Sequence, residues 1–406
     1  MFMKRFMPLL LVIACCLGLT VGMALSLTAC TPREEEAPET SQPAPTPPPE
    51  PEPIYDPLTG LEVEAEPTGR TYLVSIDNNP DARPHSGISQ AKILYEVPAE
   101  GGISRLIALF QDDTTEKIGP VRSARPYMVD IARSWGGVFV HCGWSEDAKS
   151  YLQQGVVDYV NELSQSAYFW RSDDRSAPHN LYTSTEKLAE WATATDNNYD
   201  QVVDWMEFRT EDDPLSTEDP LSTEDPLSTE DPLSTEDPLS TEDPLTTEEP
   251  TATGVAVDYI QVEYPYANNI YRYDATTGLY NRYLGEEPFI DKENGQQLAP
   301  ANVIVMEVVS QVLDGEGRLA IDLTTGGRMW FFSDGKLVEG TWSHPDKDTA
   351  IRFADNNGQA LRLTPGQTCI QVIDGLVDLT YENTAAPEPS TGTTLETDSA
   401  ATQTTR

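Results

Sequence analysis

Arginine and histidine recur inside Pro- and Gly-marked turns between residues 82 and 180. The turns are Ala82-Arg83-Pro84-His85, Gly101-Gly-Ile-Ser-Arg105, Gly119-Pro-Val-Arg122-Ser123-Ala-Arg125-Pro126, Arg171-Ser-Asp-Asp-Arg175 and Pro178-His179-Asn180. Loops held by a rigid scaffold are where functional groups concentrate. Three chemistries suit these types. In the first, Arg122, Ser123 and Arg125 lie where a strand gives way to a helix N-terminus, whose free N–H groups and partial charge favour anions. Guanidinium forks match phosphate or carboxylate geometry, and Arg83, His85, Arg105, Arg175 and His179 would extend that binding cleft. In the second, His85 or His179 serves as acid/base beside charge-stabilising arginines. In the third, Asp77, Glu96, Glu100, Asp173 and Asp174 neutralise the arginines internally, as buried charges usually require.

Other chemistries find less support. The sequence contains no G-x-S-x-G, S-x-x-K, P-loop or H-E-x-x-H motif. His141 and Cys142 are neighbours on a predicted strand, so their side chains face opposite ways. His85, His141 and His179 lack close metal-ligand spacing, and neither metal nor cofactor is expected. No catalytic residue can be assigned. His344 precedes Pro345 and reads as a turn residue. The 406 residues carry a net charge of −41, which argues against nucleic acid as a partner, because phosphate binding needs a basic footprint.

The address is written at the N-terminus. Lys4 and Arg5 precede an apolar run from Phe6 to Leu27 that ends at Leu27-Thr28-Ala29-Cys30. A signal of this form is set aside before fold reasoning. It resembles the bacterial lipobox, in which cleavage before the cysteine exposes it for acylation. Cys30 is then the lipidation site, and the mature chain begins on the outer face of the cell membrane, held there by lipid. Each buried acyl methylene contributes about 0.8 kcal/mol, so two or three chains anchor where one would not. The alternatives are an ordinary cleaved signal or a membrane-spanning helix. Once Cys15 and Cys16 leave with the signal, Cys142 and Cys369 remain. Outside the cytoplasm they could join as a disulfide, or stay as buried free thiols.

Composition divides the rest. Residues 1–29 are the signal, and 30–69 an acidic Pro-rich linker favouring extended polyproline II. Residues 70–209 form a mixed α/β block. From 210 to 253 runs an acidic hexapeptide array, Asp213-Pro-Leu-Ser-Thr-Glu218 repeating six times. With one apolar residue per unit it can build no core, and it is expected to be disordered and to keep its flanking blocks from forming one rigid body. Residues 254–384 read as a smaller, mainly β block, and 385–406 as a disordered tail. Over half of the negative excess lies in linker, array and tail.

In the first block Thr71–Ile76, Lys92–Val97, Ile103–Phe110 and Gly137–His141 are predicted strands. Ser123 is expected to cap a helix through Tyr127, Ile131 and Trp135, Ser145 a second helix, and Thr183 with Glu186 a third. Tyr168-Phe169-Trp170 reads as core or as a pocket wall. In the second block Val255–Tyr264, Asn302–Val309, Arg318–Leu323, Met329–Phe332, Leu337–Trp342 and Thr368–Ile373 are predicted strands between Gly turns. The fold class is α+β.

Several motifs resemble one family. Asn79-Pro-Asp-Ala-Arg-Pro-His-Ser-Gly87, Glu100-Gly-Gly-Ile-Ser-Arg105, Gly119–Tyr127, Phe169-Trp-Arg171 and Ala177-Pro-His-Asn-Leu-Tyr-Thr183 look like the signature of YerB-like lipoproteins. Asn302–Met306, Gly317-Arg318, Asp334-Gly-Lys336, Gly340-Thr-Trp342 and Pro365-Gly-Gln-Thr368 look like its C-terminal domain. The resemblance implies a two-domain lipoprotein but no activity. Cys369 falls where that family usually has Trp, and Cys142 where a small residue is usual, which strengthens the disulfide alternative slightly. The family's interdomain loop is normally short, so the array looks like a local expansion. The expected function is a non-enzymatic, lipid-anchored binding or scaffold module of the cell envelope, its partner an anionic envelope ligand or an envelope protein. The alternatives are an envelope enzyme acting on glycan or phosphate linkages, and a purely structural interaction protein.

Overall fold

A computed structural model describes residues 53–111, 114–198, 205–210 and 254–384. The signal, Cys30, most of the Pro-rich linker, the hexapeptide array and the tail lie outside the described residues. In chain order the elements are β1 (Tyr72–Asp77), β2 (Ile93–Pro98), β3 (Ser104–Phe110), α1 (Pro126–Ser134), β4 (Val138–His141), α2 (Glu146–Leu152), β5 (Tyr159–Asn161) and α3 (Thr185–Ala194). The second half supplies β6 (Val255–Ala256), β7 (Tyr259–Tyr264), β8 (Ala267–Asp274), β9 (Leu279–Leu284), β10 (Asn302–Glu307), β11 (Gly327–Ser333), β12 (Lys336–Ser343), β13 (Thr368–Ile373) and β14 (Asp378–Glu382). Short two-stranded pieces complete it, and the fold is α+β.

One mixed sheet runs through both halves in the order β6-β12-β11-β10-β13-β2-β3-β1-β4-β5, with Arg352–Asp355 paired to β12. The join is the parallel pairing of β13 with β2, Thr368 opposite Ile93 and Gln371 opposite Glu96. The two blocks therefore share a hydrogen-bonded ladder instead of meeting as separate bodies across the acidic array. Every residue of β1, β2, β3 and β13 is buried. Such near-continuous apolar runs are what a sheet covered on both faces demands. Leu73, Ile93 and Ile107 pack under α1 on one face, with Tyr127, Met128 and Ile131. Val74, Leu94 and Leu106 pack on the other with Leu188 and Trp191 of α3. That second face is also covered by a smaller antiparallel sheet, Glu287–Pro288-β9-β8-β7-β14.

Ser145 caps α2 through Ala148 N, as its position predicts. Two other caps fall elsewhere. α3 is capped by Ser184, one residue after Thr183. α1 begins at Pro126 with Arg125 at its cap and no side-chain cap bond; proline at the first helical position has no N–H to satisfy. Val255–Tyr264 divides into β6 and β7, which belong to different sheets.

Candidate functional site

The arginine-bearing turns gather at the C-terminal end of β1 around two carboxylates. Asp77 closes β1. Its Oδ2 accepts from His179 Nδ1 at 2.8 Å and lies 3.3 Å from Arg122 Nε. Its Oδ1 accepts from Asn79 N at 3.2 Å. The carboxyl is held below its ordinary range: burial opposes this, but Arg105, Arg122 and the His179 bond outweigh it. Glu100, in the turn after β2, accepts from Arg125 Nε at 3.0 Å and again from Arg125 Nη2, and lies 3.8 Å from Arg105 Nη2. Its pKa is lowered as well, with burial opposed by Arg125 and Arg105. Three guanidinium groups, Arg105, Arg122 and Arg125, thus face two carboxylates, leaving a local positive excess in a strongly acidic chain.

The residues singled out from the sequence separate by role. Arg105 is buried, and its Nη1 donates to Ser123 O at 3.0 Å. Ser123 offers that carbonyl, and accepts there from Ser75 Oγ as well at 3.3 Å, rather than a capping hydroxyl. Arg83 donates to Asn78 Oδ1 at 3.0 Å and Asn78 O at 2.7 Å. Arg175 donates to Ala82 O at 2.5 Å and Pro84 O at 2.6 Å. Arg83, itself on the 79–87 turn, ties it back to Asn78, and Arg175 holds it through the Ala82 and Pro84 carbonyls. His85 lies beneath that turn, fully buried, its Nε2 on Asp77 O at 2.9 Å. Burial pushes its pKa down to about 3, so it is neutral and closed to solvent. Arg122, 32 % exposed at its side chain, and His179, at 17 %, form the open edge of the cluster. Arg171 lies on the same edge, close enough with Arg122 to act electrostatically on Cys142.

Of the five acids expected to neutralise these arginines, Asp77 and Glu100 do so, whereas Asp174 pairs with Lys292 and Glu96 is taken by an arginine of the other half. Glu96 of β2 is fully buried and pairs with Arg282 of β9 in the other half. It also accepts from Asn78 Nδ2 at 3.0 Å, Ser104 Oγ at 2.5 Å and Asn269 Nδ2 at 2.8 Å. Arg282 escaped sequence reasoning. Its signal was the alternation in Leu279-Tyr-Asn-Arg-Tyr-Leu284, which puts it on the same face as the buried Tyr280.

The disulfide expectation is corrected. Cys142 and Cys369 are both free. Cys369 lies on β13 and Cys142 follows β4, four strands away across the sheet, a separation of about 19 Å at strand spacing. A disulfide needs Cα atoms within about 7 Å. Cys142 Sγ donates to Glu162 Oε2 at 3.3 Å, and burial with that acid raises its pKa to about 11. Cys142 is thus a poor nucleophile. Burial raises Cys369 likewise to about 11. At pH 8 a maleimide should label Cys142 slowly and Cys369 only after denaturation, with intact mass unchanged by reductant; rapid labelling of Cys369 in the folded protein contradicts this placement. His141 is a core residue, its Nδ1 on Gly143 O at 2.8 Å amid Phe139, Trp144 and Tyr159.

Comparison with known proteins matches these features to one family. "Protein of unknown function (DUF3048) N-terminal domain" matches residues 58–200, and the corresponding C-terminal domain matches 260–370. The "Putative lipoprotein YerB" of Bacillus subtilis is 32% identical over 328 residues, covering 79% of this chain and 86% of its own. A crystal structure of the YerB protein from Bacillus subtilis superposes with a TM-score of 0.64 at 29% identity, covering 80% of this chain and 99% of that one. Both halves of the shared sheet fall within these matches, and the chain belongs to the YerB-like family of lipoproteins of unknown function.

Proposed function

We propose that this protein is a non-enzymatic binding module of the cell envelope, lipid-anchored at Cys30 on the outer face of the membrane, which takes an anionic ligand at the Arg122–His179 edge. The observation that carries this is the local charge: three guanidinium groups share two carboxylates, and the guanidinium of the most exposed of the three, Arg122, has a single ion pair among the described residues, to Asp77 at 3.3 Å. Arg83, Arg105, Arg125 and Arg175 hold the edge in shape. An incoming phosphate or carboxylate would meet Arg122 and His179 from the solvent side, competing with the Asp77 Oδ2 that both share. Teichoic-acid-type glycerol phosphate polymer and isolated wall precursor are suitable probes. Arg122→Ala should weaken binding at least about tenfold, as expected for a lost charge-assisted bond, while leaving the melting temperature within a few degrees. Unchanged affinity for every anionic probe would sink the proposal.

One observation favours the enzymatic alternative. Asp77 orients His179 by its Nδ1, the arrangement of a carboxylate-supported general base. Turnover of the wall precursor that disappears in His179→Ala would select that alternative over simple binding.

A further inference from the structure

Beside the arginine cluster, on the same edge of the shared sheet, lies an apolar cavity. β1 and β2 both run antiparallel to β3, β13 runs parallel to β2, and β10 to β13. Asp77, Pro98, Ile373 and Glu307 therefore all leave the sheet on one edge. Asp77 and Val97 are both opposite Arg105, so they flank β3 about 10 Å apart at strand spacing. The turns that leave β2, β13 and β10 there enclose about 190 Å³, walled by Pro98, Tyr264, Val312, Leu319, Leu376 and Val377.

Apolar surface continues from this cavity toward the cluster. Val312 is 54 % exposed and Leu376 68 %. Tyr266, at 59 %, stands between the two sites. A Cβ on Gly102, which lines the cavity, would lie 3.3 Å from the Tyr266 ring. The Tyr266 carbonyl accepts from Arg83 Nη2 at 3.4 Å. Large apolar side chains left together in water are uncommon on a folded surface and mark a place where apolar matter is taken up.

Charge decides which end of a ligand goes where. The one charged residue lining the cavity is Asp374, 4 % exposed, whose carboxylate accepts from Ser310 Oγ at 2.6 Å and Leu376 N at 3.0 Å. With no cation in its lining, the cavity repels an anionic head and admits a chain. Across β3 the balance reverses, where Arg105, Arg122 and Arg125 face Asp77 and Glu100 and the Arg122–His179 edge is open to solvent. Resting on the anionic reading of that edge, we infer that its ligand is an amphiphile, a phosphate ester of a long apolar chain. The phosphate offers its oxygens to Arg122 and His179, and the chain passes Tyr266 into the cavity at Val312 and Leu376. The proposed Cys30 anchor keeps the protein at the membrane surface, where such molecules reside.

The test titrates ethyl phosphate and dodecyl phosphate into the lipidated protein in nanodiscs, with empty nanodiscs subtracted. Dodecyl phosphate should bind at least about tenfold more tightly than ethyl phosphate, since each methylene buried is worth about a fourfold gain. The double variant Val312→Gln/Leu376→Gln should cut that ratio about tenfold while melting within a few degrees of the parent, because both positions are exposed. Arg122→Ala should weaken both phosphates alike, and dodecyltrimethylammonium should not compete. Equal affinity for the two phosphates, a double variant that keeps the full ratio, or competition by the ammonium would each overturn the amphiphile and leave the anion site standing. An Arg122→Ala protein that loses nothing toward ethyl phosphate would instead remove the anion site, and this inference with it.

Discussion

Arg282→Met should destabilise the protein by about 3–5 kcal/mol, the cost of leaving one charge of a buried pair alone. Glu96 and Arg282 are both fully buried, and their ion pair crosses from β2 to β9. Arg83 acts on Glu96 only through space and leaves the carboxylate without its direct cation if Arg282 is lost. Asn78, Ser104 and Asn269 satisfy hydrogen bonds of the Glu96 carboxylate but do not cancel its charge. Urea unfolding should show the loss as a lower midpoint in one transition, because the two halves share the ladder between β2 and β13. The double variant Glu96→Gln/Arg282→Met should recover much of it, since no buried charge then remains. A single variant within about 1 kcal/mol of the parent would show that the pair is hydrated.

The second large effect is acid sensitivity above the range where carboxylates titrate. Burial depresses His85 to about 3 and His141 to about 4. In the unfolded chain both take up protons near pH 6.5. The stability they contribute is therefore complete above about 6.5 and falls as the pH drops toward their folded values. Moving from pH 7 to pH 5 costs about 2 kcal/mol for each, or roughly 4 kcal/mol together. Asp77 and Glu100 act in the same direction at lower pH, since their folded pKa values are depressed and their contribution is lost as they protonate. Urea midpoints at pH 7 and pH 5 test this, and His85→Gln should remove about half of the slope. A flat profile over that interval would mean that both rings are reached by water.

Much of the fold is visible in the chain. The apolar runs of β1, β2 and β3 and the Ser145 cap sit where composition and spacing put them, because a doubly covered sheet and a helix start impose local patterns. β8 and β9 were not visible. They bury Asn269 and Arg282, and polar residues at buried positions make the inward face read as solvent-facing even where the strand alternation is kept. The Ser123 cap failed for a related reason: its backbone carbonyl, not its hydroxyl, is what Arg105 and Ser75 use.

The site shows the same division. Arg83, Arg105, Arg122, Arg125, Arg175, His85 and His179 could be named from their turns, since Gly and Pro mark turns locally. Which of them holds the turn and which faces outward could not. Arg83 is spent on Asn78 and Arg175 on the Ala82 and Pro84 carbonyls, and His85 is sealed away from solvent. Arg122 and His179 keep an open side that no carbonyl of the turn takes up, and Arg171 joins them from a segment about fifty residues downstream of Arg122.

By itself, then, the sequence determines the fold class, the positions of most strands, the family and a short roster of charged turn residues, because each is encoded by neighbours in the chain. The tertiary structure alone decides that the two halves share one sheet, that Glu96 answers to Arg282 across it, and that Cys142 and Cys369 stand four strands apart. Those facts depend on strand order and on which charges lose water together. Both are settled by contacts between residues far apart in the sequence, which no local pattern records.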